Sequence, residues 1–174
     1  NAPTSELGNY PDRYSYNGSA SYVTGSHNVK VGFQQSQGIY RRLNTANADL
    51  YQTYNNGVPL RVTVLNTPVD AQENLDANFG LYAQDSWRID KLTVNIGLRW
   101  DYVKAHVEGQ PASFGRFAAS EPYDDVSIPT WKDWSPRTSI VYDVFGTGKT
   151  AVRAGFNKYN LAATTGYARL ASPS

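Results

Sequence analysis

The chain has 174 residues, a formal net charge of +1, 13% aromatic residues and no cysteine. The near-neutral charge argues against a nucleic-acid-binding protein, which would normally present a basic face, and the lack of cysteine excludes a disulfide framework and a thiolate metal site. No apolar run approaches the ~20 residues of a transmembrane helix. A transmembrane β-strand alternates lipid-facing and polar residues, so low mean hydropathy leaves that class open.

The N-terminal part of the chain predicts a β-hairpin over about residues 12–42. Its strands meet at Gly25-Ser26, and each strand alternates apolar with polar residues. The alternating apolar residues are Tyr14, Tyr16, Ala20 and Tyr22 in the first strand and Val29, Val31 and Phe33 in the second. A smaller hairpin is predicted over 48–66, because Asn56-Gly57 supplies the positive φ angles that tight hairpin turns need.

The clearest pattern is LYAQDSWRIDKLTVNIGLRWDY, which predicts a hairpin over about 74–106 with a short turn at Ile89–Lys91. From Leu92 to Lys104 the alternation covers about 13 positions, more than the 5–6 of a typical soluble strand and enough for the ~9–11 of a tilted transmembrane strand. The residues expected to face lipid, or an assembly partner, are Leu92, Val94, Ile96, Leu98, Trp100 and Tyr102.

A fourth hairpin is predicted over about 134–159, and residues 160–174 are expected to be loop. The connections alternate in length, with short ones at Thr24–His27, Ile89–Lys91 and Gly146–Lys149 and long loops at about 43–73 and 107–133. Such alternation is typical of bacterial outer-membrane barrels, and aromatic residues near both ends of the apolar band fit the two interfacial girdles. A soluble β core remains the alternative interpretation of the same pattern.

Motifs for catalysis or metal binding are weak. Gly146–Thr150 ends like a phosphate-binding loop, but Asp143 stands where the full pattern has glycine, so a hairpin turn is expected. His27 and His106 are the only histidines and lack the spacing of a convergent ligand set. The acidic residues Glu121, Asp124 and Asp125 lie in the second long loop and predict a solvated loop rather than a calcium site. No enzyme activity, metal or cofactor is expected.

The hairpin at Leu81–Tyr102 resembles the barrel strands of TonB-dependent outer-membrane receptors. The matching residues are Tyr82, Gln84, Asp85, Trp87, Arg88, Leu92, Thr93, Asn95, Gly97, Leu98, Arg99 and Asp101. WSPRTSIVYDVFGTGKTAVRAGFNKYN is similar to the following hairpin in the Oar-like subgroup, whose members carry a carboxypeptidase-regulatory-like domain, and YNNGVPLRVTVLNTP is similar to an extracellular-loop hairpin there. The resemblance implies an energised importer, or in some members a secretion-linked channel, with a plug inside a 22-stranded barrel.

In such a receptor, polar-face residues would line the lumen and pair with one another or with the plug. The candidates here are Arg99, Asp101, Arg137, Asp143 and Arg153. No plug pattern is present in the chain, and about six long strands are fewer than the ~8 of the smallest single-chain barrels. We therefore expect an incomplete all-β segment of antiparallel up-and-down hairpins, excised at surface loops or belonging to a longer chain.

Two functions of different classes fit this expectation. The chain is either part of the wall of a transporter barrel in the bacterial outer membrane, unable to transport alone, or a released segment that self-assembles at the cell surface or outside the cell. In the first case the partners are membrane lipid and the remaining barrel and plug. In the second case they are further copies of the chain, paired through open strand edges and the apolar face.

Overall fold

The computed structural model describes residues 5–117 and 119–160, and long antiparallel strands dominate these residues. The strands are β1 Ser5–Thr24, β2 His27–Ala46, β3 Leu50–Asn55, β4 Val58–Val64, β5 Val69–Ile89, β6 Leu92–Val107, β7 Ser113–Phe114, β8 Ala119–Ser120, β9 Val126–Ser127, β10 Trp131–Asp143 and β11 Ala151–Asn157. A single 3-10 turn at Asn47–Asp49 is the only helical element among the described residues. The loop expected at 160–174 lies outside them except for Asn160.

The main sheet has the order β1-β2-β5-β6-β10-β11, and each neighbouring pair is antiparallel. The expected all-β architecture of up-and-down hairpins, open rather than closed, is confirmed. Within the described residues the edge strands β1 and β11 each pair on one side. No helix of the described part is long and apolar enough to cross a membrane.

The strands extend further than the sequence pattern indicates. β1 and β2 pair continuously from Thr24–His27 to Ser5–Ala46, well past the expected range of 12–42. Pro11 lies inside β1, which is compatible with strand structure because β1 is an edge strand in the described sheet. The long connections also contain local structure: β3 and β4 form a separate two-stranded arm, and β7 to β9 are short strands within the second loop.

Tight turns join the long strands at one end of the sheet, which we call the turn end. Gly25 and Asp90 both adopt positive φ, at 50° and 51°. In the arm, Asn56 and Gly57 have φ values of 49° and 81°, as a primed two-residue hairpin turn requires. The chain direction therefore reverses abruptly at the turn end, while the opposite end, the loop end, carries the arm and the long second loop.

A β-bulge interrupts β5 near the loop end. Between Leu75 and Ala77, β5 has one residue more than β6, and the same surplus appears against β2 between Ser36 and Gly38. Asp76 is the additional residue. Side chains alternate between the two faces along a strand. The odd-numbered residues of β5 therefore lie on one face on the turn-end side of Asp76 and on the opposite face on its loop-end side.

The buried core is small and lies at the loop end. Val107 is fully buried against Ile128, with Val126 and Trp131 packed beside them. Ala71 and Ala105 are also buried. Most other large apolar side chains of the described residues are exposed or half-buried, so this sheet has no second layer of protein over its long strands.

Candidate functional site: two faces of the sheet

One face of the main sheet is apolar along most of its length. The strand register brings Leu98 opposite Ala83 and Pro136, and Val94 opposite Trp87 and Ile140. The six residues expected to face lipid, namely Leu92, Val94, Ile96, Leu98, Trp100 and Tyr102, all lie on this side, which we call the apolar face. Ile96 is 57% exposed, so the described residues leave the middle of this face uncovered.

Aromatic side chains lie toward both ends of the apolar face. Near the turn end, the rings of His27 and Trp87 stack with centroids 5.1 Å apart. Toward the loop end, Trp100 contacts Trp134 and Tyr102, with ring centroids 6.4 and 6.2 Å away. At ~3.3 Å per residue, Leu92 to Tyr102 extends about 33 Å, which a strand tilt of ~40° reduces to a height of about 25 Å. This height equals that of the apolar band of a transmembrane barrel.

An ionisable pair lies on the apolar face near the turn end. His27 Nδ1 lies 2.6 Å from Asp85 Oδ2, and the Asn28 backbone N–H donates to Asp85 Oδ1 at 3.2 Å. The Asp85 carboxylate thus has two partners, beside Trp87 and close to the turn end. At such a boundary a charged pair reaches water and headgroups more easily than at the band centre.

The second histidine lies at the opposite end of the sheet. His106 Nδ1 is 2.9 Å from Asp76 Oδ1, and His106 Nε2 is 3.2 Å from Asn74 Nδ2. Only β5 separates the strands of the two histidines, but their rows lie at the turn end and the loop end respectively. Within residues 5–117 and 119–160 no group of three or more potential ligands converges on a metal-sized site.

The opposite face, which we call the polar face, carries hydrogen-bonded side chains. Arg99 Nη2 lies 2.7 Å from Asp101 Oδ1, and Arg99 Nε donates to both Asp101 oxygens at 2.8 and 3.0 Å. Asn95 Nδ2 donates a hydrogen bond to Ser139 Oγ at 3.1 Å, which links the neighbouring strands β6 and β10. The structure thus brings Arg99 and Asp101 together as a pair on the face where the sequence places them.

Glycines on the polar face allow long side chains to lie flat on the sheet. A Cβ on Gly80 would clash with Arg99 Nη2, and a Cβ on Gly32 would clash with the Tyr82 hydroxyl. Arg99 and Tyr82 therefore cover the backbone of the neighbouring strand, where any other residue would displace them. Gly80 and Gly32 therefore leave the space on the polar face that the side chains of Arg99 and Tyr82 occupy.

The remaining candidates of the polar face are spread toward the turn end. The carboxylate of Asp143 accepts hydrogen bonds from the backbone N–H groups of Gly146 and Gly148, at 3.0 and 2.7 Å. These are the donors that a phosphate would need, so Gly146–Thr150 is a self-capped turn. Arg153 lies opposite Val141, and Arg137 lies four residues from Val141 along β10, with its guanidinium 5.0 Å from the Tyr159 ring centroid.

The acidic residues of the second loop do not form a common site. Asp125 accepts a hydrogen bond from the Gly109 backbone N–H at 2.8 Å, which ties the two sides of the loop together. Glu121 instead lines a cavity of about 680 Å³ between the arm and the loop, together with Pro68 and Tyr123. Asp125 therefore has a role in the loop itself.

Two further charged pairs at the loop end are not predicted by the sequence pattern. Arg41 Nε donates to Asp70 Oδ1 at 2.7 Å, and this hydrogen bond, together with the Arg41 charge, lowers the pKa of Asp70 below its ordinary value. On the other face, Arg42 Nη2 lies 3.0 Å from the buried carboxylate of Glu73. Both pairs join β2 to β5, strands that the arm separates in sequence, so no local pattern indicates them.

The geometry agrees with comparisons to known proteins. A family model described as "Outer membrane beta barrel domain" matches residues 1–172. A "TonB-dependent transporter Oar" of Myxococcus xanthus is 32% identical over 81 residues, which cover 46% of this chain and 6% of that protein. No solved structure matches.

These matches confirm the resemblance of the chain to TonB-dependent outer-membrane receptors. The chain spans only a small part of the length of the curated relative, so the activity of that whole protein is not carried over by the match itself. The family model, in contrast, covers nearly the whole chain. The chain belongs to the outer membrane β-barrel domain family, and its location is the bacterial outer membrane.

Proposed function

We propose that this chain forms part of the barrel wall of a TonB-dependent transporter. Its apolar face contacts lipid, its polar face lines the lumen, and the plug and the remaining wall complete the transport machinery. The segment does not transport by itself, because an open sheet in lipid leaves the backbone groups of its edge strands without partners, each at a cost of several kcal/mol. No catalytic role is part of this proposal.

The observation that carries the proposal is the separation of the two faces over a height of about 25 Å. On the apolar face, Ile96 and Leu98 are exposed at mid-height with aromatic rings toward both ends. On the polar face, ion pairs such as Arg99–Asp101 occupy the same strands. A soluble sandwich would instead cover the apolar face with a second sheet.

Adjacent residues of β6 provide the test, because the chain has no native cysteine. Ile96→Cys and Asn95→Cys, each labelled with an environment-sensitive fluorophore, place the probe at nearly one depth but on opposite faces. In vesicles that contain lipids brominated along the acyl chains, we expect strong quenching at position 96 and little at position 95. Equal quenching at the two positions, or none at either, contradicts the proposal.

A second candidate function is that of a self-assembling structural subunit. The supporting observation is that β1, with 20 residues, and β11 each present an unpaired edge within the described residues. Strand edges are templates for the addition of further strands. In this case the purified protein would form uniform filaments or rings in water under negative stain. The label at position 96 would then be shielded by protein and insensitive to brominated lipid.

A further inference from the structure

A recess with excess positive charge lies on the polar face at mid-sheet. Four residues occupy one row across adjacent strands: Lys30 on β2, Gln84 on β5, Gly97 on β6 and Arg137 on β10. Gly97 contributes no side chain, so the row is open between its long members. The recess has a volume of about 380 Å³.

The charges around this recess do not balance. Of its three cations, Arg99 is neutralised by Asp101. Lys30 and Arg137 form no ion pair with a carboxylate of the described residues, and Arg137 contacts the Tyr159 ring instead. Asp85 also borders the recess, but its carboxylate is hydrogen-bonded to His27 on the apolar face. It therefore does not offset the positive charge of the recess. Among the described residues, the positive charges of Lys30 and Arg137 therefore remain without a compensating carboxylate.

The spacing of these two cations suits one small anionic group. Three strand separations of ~4.8 Å place the Cα atoms of Lys30 and Arg137 about 14 Å apart, and both residues line the recess on either side of Gly97. Arginine binds carboxylate and phosphate through a planar fork, and lysine adds a compact point charge. Neutral hydrogen-bonding groups of Gln84 and Tyr82 line the same space.

We propose that this recess binds the phosphate or carboxylate group of a small anionic solute. It deepens the proposed function by giving the substrate class of the lumen, and it depends on that function only in requiring the polar face to meet water. The site is confined to one row and its immediate neighbours, which limits the ligand to a group of a few atoms rather than a polyanion.

The test uses the protein purified from outer membranes in detergent and titrated by calorimetry with inorganic pyrophosphate and, separately, with citrate. We expect saturable binding of at least one anion. Binding of pyrophosphate alone assigns the site to phosphate, and binding of citrate alone assigns it to carboxylate. Each of the variants Lys30→Gln and Arg137→Gln should weaken the binding about tenfold, the effect of one charge-assisted hydrogen bond. Lys30→Arg, which keeps the charge, should retain binding.

Arg153→Gln is the matched control, because it removes the same charge from the same face. The row of Arg153 lies about 13 Å along the sheet from that of Arg137, beyond the ~8 Å screening length at physiological salt. We expect its dissociation constant to change by less than about twofold. Absence of saturable binding, or equal weakening by Arg153→Gln and Arg137→Gln, overturns the site. The fluorophore at position 96 reports lipid contact independently, so this inference and the proposed function can fail separately.

Discussion

Strands β5 and β6 pass through two different environments. At mid-sheet, between the rows of Leu92 and Tyr102, neither face is covered by described protein, and Ile96 and Leu98 are exposed. At the loop end the same strands are covered on one side, where Val107 is fully buried. One continuous hairpin thus combines a surface suited to lipid with a small core of the kind that soluble proteins have.

The difference shows that two mechanisms stabilise the two regions. At mid-sheet, the side chains of the apolar face contact few residues outside the sheet itself. Their burial therefore depends on material other than the described residues. At the loop end, the chain supplies its own cover, and Val126 and Ile128 of the second loop pack on β6. Substitutions in the two regions should therefore respond differently to the presence of a membrane.

The largest expected effect follows a charge at the centre of the apolar face. Ile96→Lys should lower the free energy of unfolding from lipid vesicles by ~2–4 kcal/mol, the cost of a lysine near the bilayer midplane. Asn95→Lys, at a neighbouring position on the polar face, should cost about 1 kcal/mol or less, the contribution of its hydrogen bond to Ser139. Urea titration of both variants measures the difference, and equal costs would remove the distinction between the faces.

An intermediate effect is expected from a cavity at the loop end. Val107→Ala should cost about 1.5–3 kcal/mol, because two methyl groups are lost from a fully buried site. Val94→Ala, at a half-buried position of the apolar face, should cost less, since lipid chains can fill the space. Unfolding in vesicles and hydrogen exchange at residues 103–128 test this pair. Faster exchange confined to that segment is the expected result for Val107→Ala.

The smallest effect concerns the Arg41–Asp70 pair on the exposed surface of the loop end. The folded-state pKa of Asp70 is lowered by its hydrogen bond with Arg41, so its contribution to stability is present above the unfolded pKa, about 3.9. That contribution is lost as pH falls through the lower folded-state value. Asp70→Asn should therefore be slightly less stable than the parent protein at pH 7, with the difference shrinking below about pH 4. A difference that persists unchanged at pH 2 would contradict this assignment.

Local features of the fold are readable from the sequence. In β6, apolar residues at even positions from Leu92 to Tyr102 give the strand and its two faces, because the pleat alternates with a period of two. Asn56-Gly57 likewise marks the turn of the arm through its positive φ angles. The faces of β6 and the turn of the arm can each be predicted from about ten neighbouring residues.

Features that depend on strand register are not readable in this way. The pairing of β2 with β5 bypasses the whole arm, and nothing within either strand specifies that His27 lies opposite Trp87. The recess illustrates the same limit. Lys30, Gln84, Gly97 and Arg137 lie on four strands spread over more than half of the chain, and only their register places them in one row.

The bulge at Asp76 has a consequence for how this chain tolerates insertions and deletions. On its turn-end side, odd-numbered residues of β5 such as Phe79 lie on the apolar face, whereas on its loop-end side Asp70 and other even-numbered residues do. Asp76 thus acts as a phase shift in the strand. Its deletion would leave the pattern of the apolar face intact at mid-sheet and would move the loop-end residues of β5 to the opposite faces, so that Glu73 would lie on the apolar face. The single additional residue therefore lets the alternation of apolar and polar residues in β5 differ between mid-sheet and the loop end.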